Sequence, residues 1–336
     1  MSRRGGWRRT GSRGRFRYRD ARGEPITDEQ KLRRIEALAI PPAWRDVWIS
    51  PNPAAKLQAT GVDAAGRTQY RYHPQFRAAQ ETAKFERLVR FGELLPDLRE
   101  AMARHVEADG LNRDWACAIA VRVINLAWFR VGSERSAERA RTYGVTTLRK
   151  RHVAVRGRRV SFRFATKGRA GVRTTVVDEE LGAAFRSLLD LPGARLFRYR
   201  GDDGLFNLTA PQLNDYLAEH MGGGFTAKEF RTWGGTLTAA IALAEHGPPS
   251  SEGEAKRVLA AVMRTVGERL GNTPSVARAS YVSPAVVEQY LDGRTLEDFR
   301  PRRLRVVGAR DLGLDVEEAA LLSLLRSWRI RRALVA

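Results

Sequence analysis

Tyr281 stands at a joint. In LGNTPSVARASYVSPAVVEQY, residues 270–290, Gly271 stops one helical segment, and Thr-Pro and Ser-Pro start two more. Tyr281 falls between the last two. A tyrosine inside a helix serves packing, as expected for Tyr290; one at a break has a hydroxyl free to reach a reactant. Arg130 ends the apolar run DWACAIAVRVINLAWF. A charge at the end of a buried helix emerges into a cleft or takes a partner such as Glu134. Arg231 lies one turn into a helix opened by Thr226, with Lys228 on the same face three residues before it. Two cations at a helix N-terminus oppose the macrodipole, and an anion there relieves the conflict. Lys167 follows a strand in FRFATKGRAG and is one of seven lysines among 59 basic residues. Where arginine serves for ordinary charge, a retained lysine points to proton transfer, since an ammonium titrates near ~10.4 and a guanidinium above ~12. The bland alternative is a solvated hairpin lysine.

A nucleophile, two guanidinium clamps and an acid are the parts needed to break a phosphodiester without a metal. The transition state gathers negative charge on non-bridging oxygens, which guanidinium forks match, and the leaving oxygen takes a proton. Other chemistries lack their residues. His73, His105, His152, His220 and His246 form no His-x3-His or His-Glu pattern, and with Cys117 as the single cysteine a structural zinc site is not expected. No phosphate-binding G-x-x-x-x-G-K-[ST] loop occurs. Gly222–Gly224 read as a hinge and Asp202-Asp203 as an exposed turn. Neither metal nor nucleotide cofactor is expected.

The balance of charge names a partner class. With 59 Lys+Arg against 38 Asp+Glu, the net charge is +21 in 336 residues. Such an excess suits a polyanion, because each cation set against a phosphate releases counterions. The first twenty residues are basic without an apolar core, so they are no secretory signal, and no apolar stretch reaches transmembrane length. A cytoplasmic, nucleoid-associated protein without a membrane partner is expected, with Cys117 buried and reduced.

These side chains need elements to hold them. Residues 1–14 read as a flexible basic arm making nonspecific backbone contacts. Residues 15–78 read as a small antiparallel β-rich domain, with strands at FRYRD, DVWIS, KLQATG and TQYRYH and one helix opened by a Thr27–Gln30 capping box. Residues 79–336 read as a larger, mainly α-helical domain. It opens with the long helix PQFRAAQETAKFERLVRFGELL and contains a three-stranded meander at HVAVRG, RVSFRFATKG and RTTVVD. Further helices begin at Thr209, Thr226 and Glu252, and HGPPSSEGE at 246–254 is linker-like. LDVEEAALLSLLRSW is amphipathic and is expected to dock on this domain. The fold class is therefore α+β.

In these blocks the chain resembles type IB DNA topoisomerases of the short bacterial, poxvirus-like kind. The likeness runs from about residue 15 to 300. It is carried by IPPAWRDVWISP, QATGVDAAGRTQYRYHP, KFERLVRFG, FRVGSE, YGVTTLRKRHV, the Lys-Gly hairpin, KEFRTWGGT and LGNTPSVARASY. The resemblance implies Tyr281 as nucleophile, Arg130 and Arg231 as phosphate clamps, and Lys167 as general acid. Asn272 stands where the poxvirus and eukaryotic pattern has histidine; it can donate a hydrogen bond to a phosphate oxygen but carries no charge. It further implies a monomer whose two domains clamp double-stranded DNA, with Gln69, Tyr70 and Tyr72 against backbone and groove. Tyrosine recombinases share the chemistry, but typically show His-x-x-Arg where this chain has Lys228-Glu229-Phe230-Arg231. The alternative from another class is a non-enzymatic DNA-compacting protein.

Overall fold

The computed structural model describes residues 5–12, 14–108, 110–167, 171–300 and 313–335. The chain divides into two compact units, Met1–Lys84 and Phe85–Ala336.

The first unit is a five-stranded antiparallel sheet with one helix on it. Its strands are β1 (Trp7–Thr10), β2 (Arg17–Arg19), β3 (Arg45–Ile49), β4 (Leu57–Val62) and β5 (Thr68–Tyr72), in the order β2-β1-β3-β4-β5; helix α1 spans Glu29–Ala37. Successive side chains of a strand point to opposite faces. The register Trp7↔Ile49↔Ala59 lays one apolar row, and Ile35 of α1 packs into the same core. The flexible arm expected over 1–14 is corrected here: Trp7–Thr10 is a strand, paired on both sides. Trp7, 7% exposed, supplies the burial that its arginine neighbours conceal from a reading by charge. Residues 1–4 and 13 of that arm lie outside the described residues. The helix cap also shifts by one residue: the Asp28 carboxylate, not Thr27, accepts from the Lys31 amide at 3.0 Å.

The second unit is mainly helical. It continues α2 (Pro74–Glu107) into α3 (Arg113–Ala127) and α4 (Glu134–Arg139). The meander follows as β6 (Val153–Arg156), β7 (Arg159–Phe164) and β8 (Val172–Val177), antiparallel in that order. Then come α5 (Glu179–Asp190), a hairpin of β9 (Arg198–Gly201) and β10 (Gly204–Asn207), and α6 (Ala210–Met221). The chain continues through α7 (Ala227–His246), α8 (Glu252–Leu270), α9 (Pro274–Tyr281), α10 (Pro284–Leu291) and α11 (Val316–Val335). Asp202-Asp203 is the turn of the β9–β10 hairpin. That hairpin and α5 were not read from the sequence.

Two helices form the centre. Every side chain of α3 from Trp115 to Val121 is buried, and α7 is buried from Phe230 to Ala240. Aromatic edge-to-face pairs tie the surrounding elements together: Phe129–Phe162 joins the end of α3 to the meander, Phe162–Phe185 the meander to α5, and Phe91–Phe230 α2 to α7, with centroids 5.1, 5.5 and 5.0 Å apart. Each such ring removed from water contributes roughly 1.5–3 kcal/mol. The Thr209–Gln212 and Thr226–Glu229 capping boxes form as the sequence indicates. Helix α11 docks on this core through Glu318. Its carboxylate takes both terminal nitrogens of Arg99, at 2.7 and 2.9 Å, and the indole N–H of Trp233 at 3.2 Å.

Candidate active site

The ends of three helices converge on the arginines. Helix α3 stops at Trp128, whose left-handed backbone (φ 53°, ψ 33°) turns Phe129 and Arg130 away from the helix axis. A side chain in that region costs on the order of 1–3 kcal/mol. Surrounding contacts fix it: the indole lies so close to Gly234 of α7 that a β-carbon there would come within 2.2 Å of the ring, and Arg269 covers it at 4.6 Å. Helix α8 ends on Gly271, also left-handed (φ 62°), as C-terminal glycines do.

Arg231, 5% exposed, spans these two ends. It donates from Nη1 to the Trp128 carbonyl at 2.6 Å and from Nη2 to the Leu270 carbonyl at 2.7 Å. A cation at two helix C-termini is favoured by both dipoles. This resolves the conflict read at the N-terminus of α7, since the guanidinium leaves that end and Lys228 alone remains there, exposed. Among the described residues, Nε of Arg231 is buried without a hydrogen-bond partner. Arg130 donates from Nη2 to Oδ1 of Asn272 at 2.7 Å and to the Gly271 carbonyl at 3.3 Å. Its pKa is lowered by burial and then by Arg231, with Tyr281 acting in the opposite direction. The alternative ion pair with Glu134 does not form, because that carboxylate is held by Arg195 at 2.6 Å. Two guanidinium groups thus repel one another across a cleft of about 250 Å³, lined by Trp128, Arg130, Thr166, Arg231, Arg269 and one carboxylate, Glu268. Such a cleft favours an anion.

Tyr281 approaches one of these arginines. It is the last residue of α9, and its ring lies 5.0 Å from the Arg231 guanidinium. Its backbone is held from α7: the Thr236 hydroxyl donates to the Tyr281 carbonyl at 3.1 Å and accepts from the Ser283 amide at 3.1 Å. Gly235 makes room, since a β-carbon there would meet the Tyr281 carbonyl oxygen at 2.8 Å. Thr236 was missed from the sequence, yet it carries a signal: paired glycines inside a helix mark a close backbone approach. Tyr290, by contrast, is a core residue, 1% exposed.

Lys167 is exposed, one residue beyond the cleft-lining Thr166, and among the described residues it makes no hydrogen bond or ion pair. The tip of its hairpin, residues 168–170, lies outside the described residues. Lys150 differs, its ammonium being spent on the Leu189 and Leu191 carbonyls. In the other unit, Tyr70 and Tyr72 stack on one face of β5, 50% and 42% exposed, with centroids 6.1 Å apart. Gln69 is not brought together with them. Strand alternation turns it to the opposite face, where its amide donates to Asp63 at 2.9 Å.

Comparison with known proteins identifies the family. Residues 73–296 match the model of the eukaryotic DNA topoisomerase I catalytic core, and residues 15–63 match that of the bacterial DNA topoisomerase IB N-terminal domain. The chain belongs to the type IB DNA topoisomerase family. It is 31% identical over 285 residues to the DNA topoisomerase 1B of Acanthamoeba polyphaga mimivirus, covering 82% of this chain and 84% of that protein. The DNA topoisomerase 1B of vaccinia virus (strain Copenhagen) is 20% identical over 281 residues, 81% of this chain and 86% of the viral one. As a family member the chain is an enzyme, an isomerase with DNA as its substrate class. Its N-terminal domain is of the bacterial kind. Helix α11 lies beyond both family matches.

Proposed function

We propose that this chain relaxes supercoiled duplex DNA by cutting and rejoining one strand, with Tyr281 as the nucleophile. The observation that carries this is the Tyr281 ring set 5.0 Å from buried Arg231, which lines one cleft with Arg130, a second arginine that among the described residues has no carboxylate partner. The phenolic oxygen attacks phosphorus, releasing its proton to solvent. The bond to the 5′-oxygen breaks, and Lys167 supplies the proton to that oxygen. A 3′-phosphotyrosyl link and a free 5′-hydroxyl result. Arg130 and Arg231 hold the non-bridging oxygens as charge builds, Arg231 through its unpartnered Nε. The duplex swivels about the intact strand, and the hydroxyl attacks back. The covalent link keeps the phosphodiester energy, so neither nucleotide nor metal is required.

Tyr70 and Tyr72, exposed on the sheet, and Lys228, exposed at the start of α7, are read as contacts to the duplex. Gln69 reaches DNA only by giving up its bond to Asp63. We read the enzyme as a monomer closing on DNA, acting on the nucleoid in the cytoplasm. Among the described residues no helix is long and apolar enough to cross a membrane, and no group of three or more potential ligands is set to hold a metal ion.

The direct test is relaxation of a supercoiled plasmid in EDTA without nucleotide. Full activity is expected. Activity lost on chelation and restored by magnesium would overturn the mechanism. A second expectation concerns Asn272, whose Oδ1 accepts from Arg130 and whose Nδ2 donates to the Leu270 carbonyl at 3.3 Å. A neutral imidazole also offers one acceptor and one donor nitrogen. Asn272→His should therefore keep relaxation within about tenfold of the parent, as a factor of ten is ~1.4 kcal/mol, one hydrogen bond's net worth. A complete loss would show a pocket shaped for the amide alone.

A further inference from the structure

Helix α11 lies beyond both stretches that match the family models, and none of its residues enters the mechanism above. Its two ends nevertheless hold the helices that bracket the Tyr281 joint: α7, which grips the joint through Thr236, and α10, which continues from it. At its start, Asp315 and Glu318 cap one another. The Asp315 carboxylate accepts from the Glu318 amide at 2.7 Å, and the Glu318 carboxylate accepts from the Asp315 amide at 3.2 Å. The same Glu318 carboxylate, 5% exposed, takes the Arg99 guanidinium of α2 and the Trp233 indole of α7. Both oxygens of this buried anion are therefore matched by donors, as a buried charge requires.

Trp233 follows Arg231 by two residues on α7. At 3.6 residues per turn the two side chains leave the helix about 200° apart. Arg231 lines the cleft, while Trp233 faces α11 and α2. Gly92 of α2 makes room for its ring, which a β-carbon there would meet at 2.6 Å. At the far end of α11, the Trp328 indole donates to the Glu288 carboxylate of α10 at 2.5 Å. Arg331 reaches Asp292 and Gln289 at 3.0 and 3.2 Å. Between the ends, Leu321, Leu324 and Leu325 are buried in the core that holds Trp233 and Tyr290. Glu318 and Trp328 are ten residues apart, about 15 Å along a helix that rises 1.5 Å per residue.

We propose that α11 is a strap across the catalytic joint, with Glu318 and Trp328 as positioning residues. Glu318 fixes the rotation of α7, which carries Arg231 and Thr236. Trp328 fixes α10, on which the chain leaves Tyr281. Tied at both ends, the strap keeps the nucleophile's joint in register with its clamp. Neither residue lines the cleft. The inference rests on the functional reading above, because that reading makes Tyr281 the nucleophile.

The test is the single-turnover cleavage rate of the full chain, in excess over an end-labelled duplex, beside duplex affinity and thermal melting. Trp233→Phe and Trp328→Phe each remove one indole N–H and keep a ring, and Trp233→Phe leaves the Arg99–Glu318 pair whole. Each should cut about two- to tenfold more slowly at parental affinity, roughly the worth of one hydrogen bond. Independent changes this far apart add in free energy, so their factors multiply. A strap released at either end is already loose, so the double variant should be about as slow as the slower single one. Glu288→Gln keeps an acceptor for the Trp328 indole and should cut at the parental rate. So should Arg326→Ala, which loses only a pair between α11 and Glu93 of α2. Lowered melting with parental cleavage in both tryptophan variants would overturn the proposal, since α11 would then stabilise without positioning. Factors that multiply in the double variant would overturn it too. If the parent cuts DNA and the tryptophan variants cut as fast, this inference alone falls; a parent that cuts no DNA overturns the functional reading first.

Discussion

Tyr281→Phe is expected to bind duplex DNA as the parent does and to form no covalent adduct. The substitution removes one oxygen. It leaves the ring beside Arg231 and leaves the backbone bonds from Thr236, which involve the carbonyl of residue 281 and the amide of Ser283. Binding and chemistry should therefore separate. Loss of a nucleophile lowers turnover by on the order of 10⁶-fold where it has been dissected. The measurement is a denaturing gel of the protein with end-labelled DNA, beside a binding assay on the same preparation. An adduct that survives in Tyr281→Phe would move the nucleophile elsewhere. Tyr290 is poorly suited to take over, being buried, with burial raising its phenol pKa.

The second large effect is expected at Lys167. If it is the acid that protonates the leaving 5′-oxygen, Lys167→Arg should be slow although the charge is kept, because a guanidinium holds its proton too tightly. Loss of general-acid help costs roughly 10²–10⁴-fold. Substrate DNA with sulfur in place of the bridging 5′-oxygen separates acid from clamp. Sulfur leaves as a thiolate and needs little protonation, so Lys167→Ala should recover most of its cleavage rate on that substrate. Arg130→Ala and Arg231→Ala should gain far less, since the charge they offset on the non-bridging oxygens is unchanged. Equal recovery in all three variants would remove the acid role from Lys167.

Much of the frame was legible because local rules decide it. Thr-Pro and Ser-Pro start α9 and α10 where the sequence puts them, through side-chain caps on the Val276 and Ala285 amides. Short aromatic or β-branched runs mark β3, β4 and β5, and the capping boxes mark α6 and α7. What escaped depends on contacts between distant segments. Half of strand β1 is arginine, and its place in the sheet comes from Trp7 meeting Ile49 across the register. The grouping of Gln69 with Tyr70 and Tyr72 overlooked the two-residue period of a strand, which a sequence shows but a motif hides. The partners of Arg231 are carbonyls 103 and 39 residues away, and no spacing rule announces them. The Thr236 hydroxyl is likewise ordinary in sequence and becomes informative only where two backbones meet.

That hydroxyl bears on rejoining as well as on cutting. Thr236 and Arg231 lie on the same helix, five residues apart, and Thr236 grips the chain on both sides of the joint that carries Tyr281. In the proposed mechanism, a DNA end attached to Tyr281 would keep its phosphorus beside a clamp carried by the helix that pins the joint, while the rest of the duplex turns. The returning hydroxyl then meets an electrophile that has not drifted, as a tethered reactant meets its partner. Intramolecular reactions held in this way reach effective concentrations of roughly 10⁵–10⁸ M. The pinned joint thus acts as a memory of the break: the cut strand can lose its twist without losing its place.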